Sequence, residues 1–308
     1  MKLIKLSCLF LLMLTLTFSC SKEPNEDVTK TEVSFELPED VLNAILSKGH
    51  NPENFEYKEM QGINGELMQL VIFDDIAYDR QNFIDLYSTD GVTDRQYSTE
   101  FKVDTDIFTE INIYAFTGSS PAGFGLSPAA LQATIEAVDN WNSVNFNSIK
   151  LVLTASDNPN FDLDVFETVV FVQPALGDVN FSGFAEFPLS DGSPGNFAVI
   201  SSVANEFAEF NTAGIRRLIT HELGHTIGFR HTDWDTRRSC VIAGIEAEES
   251  REEDANLING TPPTFFYQSN SIMNACFDVN STNGRLTIFD KIALRLLYPY
   301  SQSFNGFN

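Results

Sequence analysis

The stretch His221–His231 reads HELGHTIGFRH and holds three of the four histidines in the chain. A bare H-E-x-x-H match arises by chance in many proteins, and a single histidine is usually a core or surface residue. Here the pattern runs on as H-E-x-x-H-x-x-G-x-x-H, with a scarce residue type at three of its fixed positions. From this composition a chance match is expected at roughly a few in a million. On a helix, residues four apart share a face, so His221 and His225 aim their imidazoles at one point. Glu222 lies about 100° from His221 and about 60° from His225 around the axis, beside that point rather than on it. Gly228 can adopt left-handed backbone without a Cβ penalty, end the helix, and let the chain return His231 as a third ligand. Three neutral imidazoles and one open position describe a catalytic zinc site, because structural zinc usually has four protein ligands. Zinc in such a site acidifies water toward neutrality and polarises a carbonyl. Glu222 is then placed to take that water's proton as general base and pass it to a leaving amine. This is the chemistry of peptide hydrolysis.

Outward from the motif, the chain alternates strands and helices. EINIYAFTG, IKLVLTAS, FETVVFVQP, SGFAEFP and NFAVISS read as five strands, SGFAEFP being a short edge strand. SPAALQATIEAVDNWNSV reads as a helix, with a Ser127-Pro128 start and apolar residues at Leu131, Ile135 and Val138. The motif helix spans about Thr212 to Gly228, and TIFDKIALRLLYP is a last helix stopped by Pro299. The fold class expected is α+β: a five-stranded, mixed, twisted sheet with the active-site helix. A substrate backbone would add to the SGFAEFP edge by strand pairing.

The extended motif resembles that of the metzincin clan of zinc endopeptidases, which also place a methionine turn after the third histidine. SIMN, Ser271–Asn274, fits that turn, with Met273 packing under the zinc rather than binding it. Some metzincins carry a tyrosine two residues after that methionine; here the position is Ala275. HELGHTIGFRHTDW, GTPPT, SIMNACFD and DKIALRLLYP resemble more specifically the bacterial dual-action HEIGH metallopeptidase family, over roughly residues 95 to 300. The resemblance implies a zinc endopeptidase acting on protein or peptide substrates. Two rivals remain: a non-catalytic surface binding lipoprotein on a protease scaffold, and an exopeptidase of another zinc class. An intact Glu222 speaks against the first, and a third ligand supplied by His231 speaks against the second.

The formal charge of −24 argues against nucleic-acid binding and against docking on anionic lipid, both of which want a basic face. Residues 1–19, MKLIKLSCLFLLMLTLTFS, carry two lysines and then an apolar run, the plan of an export signal. LTFSC followed by SKEPNED resembles a bacterial lipobox, which makes Cys20 the acylated residue; an ordinary signal peptide cut nearby is the alternative. The expected product is a monomer on a lipid anchor in the cell envelope, at the outer membrane, on its periplasmic or cell-surface side. Cys240 and Cys276 are then the pair left in the exported body, and outside the cytoplasm such a pair reads as a disulfide. Residues 20–32 form a polar tether. EAEESREED reads as a solvated loop and DNPNFDLD as a turn, with calcium binding the alternative for each; His50 reads as a solvent histidine, with metal binding the alternative.

Residues 33–99 read as a separate small unit ahead of a catalytic domain at 100–308. It has a short helix in LPEDVLNAILSKGH, a strand in GELMQLVIFDDIAY and a helix in RQNFIDLYS. Asp74 and Asp75 interrupt that apolar strand. Two readings stand: an accessory unit with two solvated aspartates, or a pro-segment that lays a carboxylate on the zinc, as the F-x-G-D aspartate of astacin-type metzincins does. FDD resembles that context without its glycine.

Overall fold

The computed structural model describes residues 37–47, 52–73, 75–87, 97–161, 165–176, 182–234, 236–244, 255–259, 261 and 270–300. The export signal, the tether, Cys20, His50, Asp74 and the 246–254 acidic loop lie outside the described residues. The N-terminal part comprises helix α1 (Glu39–Ser47), strands β1 (Glu56–Gln61), β2 (Leu67–Phe73) and β3 (Ile76–Asp79), and helix α2 (Arg80–Tyr87). After the short β4 (Tyr97–Ser98) come β5 (Glu110–Phe116), α3 (Pro128–Asn142), β6 (Lys150–Ser156), β7 (Thr168–Gln173), β8 (Gly183–Ala185) and β9 (Phe197–Ser201). The remainder is largely helical: α4 (Ser202–Phe207), α5 (Thr212–Thr226), α6 (Arg238–Ala243), the two-residue β10 (Asn256–Leu257) and α7 (Ile288–Leu297).

All five expected strands form, as β5 to β9, but the sheet has eight strands rather than five, in the order β1-β2-β3-β8-β9-β7-β5-β6. The additional three come from residues 56–79, where VIFDDIAY is not one strand. Phe73 pairs with Ile76 across an antiparallel β2–β3 hairpin, and Asp75 stands in the turn rather than in a strand. Aspartate suits such a tight turn better than a continuing strand. β3 in turn pairs in parallel with β8 through Ile76 and Ala185. The expected free edge at SGFAEFP is therefore covered. The residues read as a separate unit share a sheet with the rest.

Strand chemistry follows position. TVVFVQ of β7 is buried at all six residues, as a central parallel strand covered on both faces should be. EYKEMQ of β1 buries only Tyr57 and Met60 and presents charge along the outer edge, which discourages further pairing. The main core lies between the sheet and the two 15-residue helices α3 and α5. Ser127 caps α3, its hydroxyl accepting from Ala130 N at 3.1 Å. The buried face of α3 includes Ala130, Ala133, Ala137, Val138 and Trp141, while Ile135 is 39% exposed. Small residues let α5 approach closely, close enough for Trp141 Nε1 to donate to Thr220 O at 3.0 Å and Asn140 Nδ2 to Thr220 Oγ1 at 3.0 Å. Among the described residues no helix is long and apolar enough to cross a membrane.

Candidate metal centre

Helix α5 is capped by Asn211, whose side chain accepts from Gly214 N. It ends where the sequence places a glycine: Gly228 has φ 89°. Gly228 N donates to His225 O and Phe229 N to Gly224 O, both at 2.9 Å, the paired bonds of a Schellman ending. The reversal brings His231 back over the helix. The ligand nitrogens converge: His225 Nε2 lies 3.0 Å and His231 Nε2 3.2 Å from His221 Nε2.

The outer nitrogens fix these rings. His221 Nδ1 is 2.8 Å from Ile272 O and His225 Nδ1 is 2.7 Å from Phe229 O. A carbonyl only accepts, so both Nδ1 atoms carry the proton and both Nε2 atoms present lone pairs to each other. Two lone pairs at hydrogen-bonding distance repel unless a cation lies between them. For metal–nitrogen bonds near 2.0–2.1 Å, tetrahedral ligands stand about 3.3 Å apart, close to the observed spacings. The donor set thus fits a divalent metal. Burial and the neighbouring His225 push the His221 pKa down to about 4, against the pull of Asp75, which keeps the imidazole neutral. Arg237, in left-handed backbone at φ 46°, sets Nη1 3.3 Å from His231 Nδ1.

A fourth donor is present. Asp75 Oδ2 lies 2.9 Å from His231 Nε2, 3.1 Å from His221 Nε2 and 3.7 Å from His225 Nε2. Asp75, His221, His225 and His231 form one group with metal-ligand spacing. The solvated reading of Asp75 is thereby overturned. Burial opposes its charge, yet the neighbouring imidazoles, His231 foremost, hold its pKa well below the ordinary carboxylate value.

Glu222 is buried beside the cluster, and its Oε2 has no hydrogen-bond partner among the described residues. Burial, then the Asp75 charge, raise its pKa well above the usual range. Its carboxyl presses on β8: a Cβ on Gly183 would stand 2.8 Å from Glu222 Oε1 and 2.6 Å from Val199 O.

Met273 is buried beneath α5, where a Cβ on Gly224 would come within 2.5 Å of its Sδ. The glycine between the two helical histidines is therefore the seat of the methionine. Thr232 N donates to Met273 O at 2.7 Å, and Ile272 O is the acceptor that orients His221. Two buried aspartates hold this turn. Asp290 accepts from Ser271 Oγ at 2.6 Å and Ile272 N at 3.2 Å while boxing the start of α7 with Thr287. Asp233 accepts from Ala275 N at 3.0 Å and Ser239 N at 2.7 Å. Neither was singled out from the sequence, although T-x-x-D at Thr287–Asp290 is a visible capping signal. Cys240 and Cys276 are joined, Cα to Cα 4.7 Å, and tie α6 to the same turn.

No curated protein matches the chain. Among solved structures it is similar to myroilysin, at 12% identity with 63% of this chain and 82% of that one covered and a TM-score of 0.35. It is also similar to metalloproteinase-II from Bacteroides fragilis, at 10% identity, 80% and 77% coverage and a TM-score of 0.33. The model of one family, described as dual-action HEIGH metallo-peptidase, matches residues 71–298. That span begins ahead of the residue-95 limit of the motif resemblance and takes in Asp75 with the three histidines, Glu222 and Met273. The chain belongs to the dual-action HEIGH metallo-peptidases.

Proposed function

We propose that this metallopeptidase is a zinc-dependent endopeptidase, monomeric, exported and held on the cell envelope by a lipid on Cys20. The observation that carries the reading is the convergence of three imidazole Nε2 atoms beside the buried Glu222, whose Oε2 has no hydrogen-bond partner among the described residues. Zinc held by His221, His225 and His231 supplies a Lewis acid and acidifies water. Glu222 is the proton carrier. A carboxylate whose pKa is raised by burial is a better base for water than an exposed one, and it releases the proton to a leaving amine near neutral pH. Met273 plays no chemical part; as the methionine of a Met-turn it seats the helix at Gly224, and the Ile272 carbonyl beside it fixes the tautomer of His221. Glu222→Ala should retain stoichiometric zinc by elemental analysis while peptide cleavage drops by about 10²–10⁴-fold. Full activity in that variant overturns the mechanism. Mapping the cut sites in a mixed peptide library by mass spectrometry checks the endopeptidase assignment, and cuts confined to chain ends overturn it. Loss of fatty-acid labelling in Cys20→Ala checks the anchor.

A further inference from the structure

A cavity of about 560 Å³ lies beside α5, with Arg217, Ser239, Cys276, Phe277 and Arg285 among its walls. Its volume is that of a small-molecule pocket, and its lining residues are distinct from the metal group. Arg217 is buried and stands four residues ahead of His221, on the same face of α5. The two side chains hold neighbouring carbonyls of the methionine turn. Arg217 Nη2 donates to Ser271 O at 2.6 Å, and His221 Nδ1 to Ile272 O at 2.8 Å. Four residues of helix are about 6 Å of rise, and an extended peptide covers that distance in about two residues. A second wall is the chain just past Met273, and it is held in place. Cys276 is tied to Cys240, Cys276 N donates to Ser239 Oγ at 2.9 Å, and Ala275 N donates to Asp233 at 3.0 Å. Phe277 lays its ring against Arg217, with 4.6 Å from the guanidinium carbon to the ring centroid. A carbonyl and a phenyl face orient the guanidinium without cancelling its charge. Arg285, exposed on the same cavity, adds a second positive group. Asp278 is the acidic residue of the wall among the described residues; it is exposed, and its Oδ1 accepts from Asn280 N at 2.9 Å.

We propose that this cavity receives a substrate carboxylate, the side chain of an aspartate or glutamate near the cut, and that Arg217 is the residue that selects it. The inference rests on the peptidase reading and adds a substrate preference to it. The planar guanidinium offers a fork of donors that matches both oxygens of a carboxylate. An asparagine or glutamine of the same shape turns its amide nitrogen toward those donors and loses the match. Charge-assisted bonds of this kind are worth roughly 10- to 100-fold in affinity. In a chain of formal charge −24, an acidic peptide gains nothing from the overall field of the molecule. The preference is therefore local to this cavity.

The test uses the zinc-loaded full chain and a mixed peptide library in two forms, one with free and one with amidated C-termini. Sequences with Asp or Glu near the cut should exceed their Asn or Gln counterparts roughly 10- to 100-fold in kcat/KM, in both forms. Arg217→Gln and the exposed Arg285→Glu should each lower that ratio by about tenfold. A preference confined to free C-termini assigns the cavity to the chain terminus and overturns the side-chain assignment. Equal cleavage of acidic and amide sequences, or a ratio that both substitutions leave intact, overturns the proposal outright. A binding measurement separates it from the peptidase reading: titration calorimetry of N-acetyl-aspartate amide against N-acetyl-asparagine amide. The acid should bind about tenfold more tightly, and either substitution should remove most of that margin. A margin that survives both substitutions arises at the metal instead, and overturns the proposal. A margin that the substitutions remove, without any peptide cleavage, leaves the pocket standing and removes the peptidase reading. Circular dichroism and zinc content confirm that the variants are folded, and Arg285→Glu carries the test should the buried Arg217→Gln unfold.

Discussion

Gly183 shows how much of this site depends on what is absent from a side chain. Its Cα faces the Glu222 carboxyl and the Val199 carbonyl, and a methyl group there would stand under 3 Å from both. The carbonyl belongs to a central strand and cannot give way cheaply, so the glutamate would move. Gly183→Ala is expected to destabilise the fold by about 1–3 kcal/mol, the usual cost of overpacking, while lowering kcat by a larger factor than that loss explains. Chemical denaturation and steady-state kinetics on the same preparation check this; an unchanged kcat would show that the position of Glu222 tolerates the shift. Gly224 is the counterpart under the helix, where Met273 Sδ takes the space a Cβ would need. The histidines of the candidate metal group were legible in the sequence because the helix repeat alone puts His221 and His225 on one face. Gly183 was not, since its demand is set by a carboxylate 39 positions further along, brought to it only by the packing of α5 on β8.

At the level of elements, α7 holds the metal site from a distance. Asp290 boxes its first turn with Thr287 and, with the same carboxylate, accepts from Ser271 Oγ and Ile272 N. Asp290→Ala leaves several buried donors unsatisfied, each costing about 1–3 kcal/mol. We expect a stability loss of about 3–5 kcal/mol, at the upper end for single substitutions, together with weaker metal binding, because the Ile272 carbonyl that orients His221 loses its support. Equilibrium unfolding and a competitive chelator titration measure the two effects; intact metal affinity at reduced stability would mean that the turn holds without the aspartate. Five strands and the two long helices could be read in advance from period-2 and period-3.6 patterning. The β2–β3 hairpin could not: VIFDDIAY has the composition of one interrupted strand, and only pairing of Phe73 with Ile76 reveals the turn. The spacing in α3 predicts the helix but not which residues face α5 most closely. Leu131 and Ile135 are the larger residues, but the closest packing against α5 needs alanines.

Across the whole molecule, the N-terminal segment and the remainder meet at Glu186. This buried carboxylate accepts from Asp79 N and Asn82 Nδ2 on one side and from Asn196 N and Nδ2 on the other. Asp79, the acidic neighbour across this joint, turns its own carboxylate toward Gln81 N. Burial raises the Glu186 pKa above its ordinary 4.5 despite those four donors. The folded chain therefore keeps the proton at pH values where the unfolded chain has lost it. Its contribution to stability is complete below the unfolded pKa and declines as pH rises through the folded one. Glu186→Gln removes that decline but turns an amide toward two donors, so it should be less stable than the parent in acid, with the gap narrowing toward neutral pH. Urea unfolding across that range tests this, and a gap that stays constant with pH overturns it.

The three histidines lie within an 11-residue stretch and assemble locally, whereas Asp75 is separated from His221 by 146 positions and from His231 by 156. In the intact chain the carboxylate is tethered, and a tether presents it at an effective concentration on the order of millimolar, independent of how dilute the protein is.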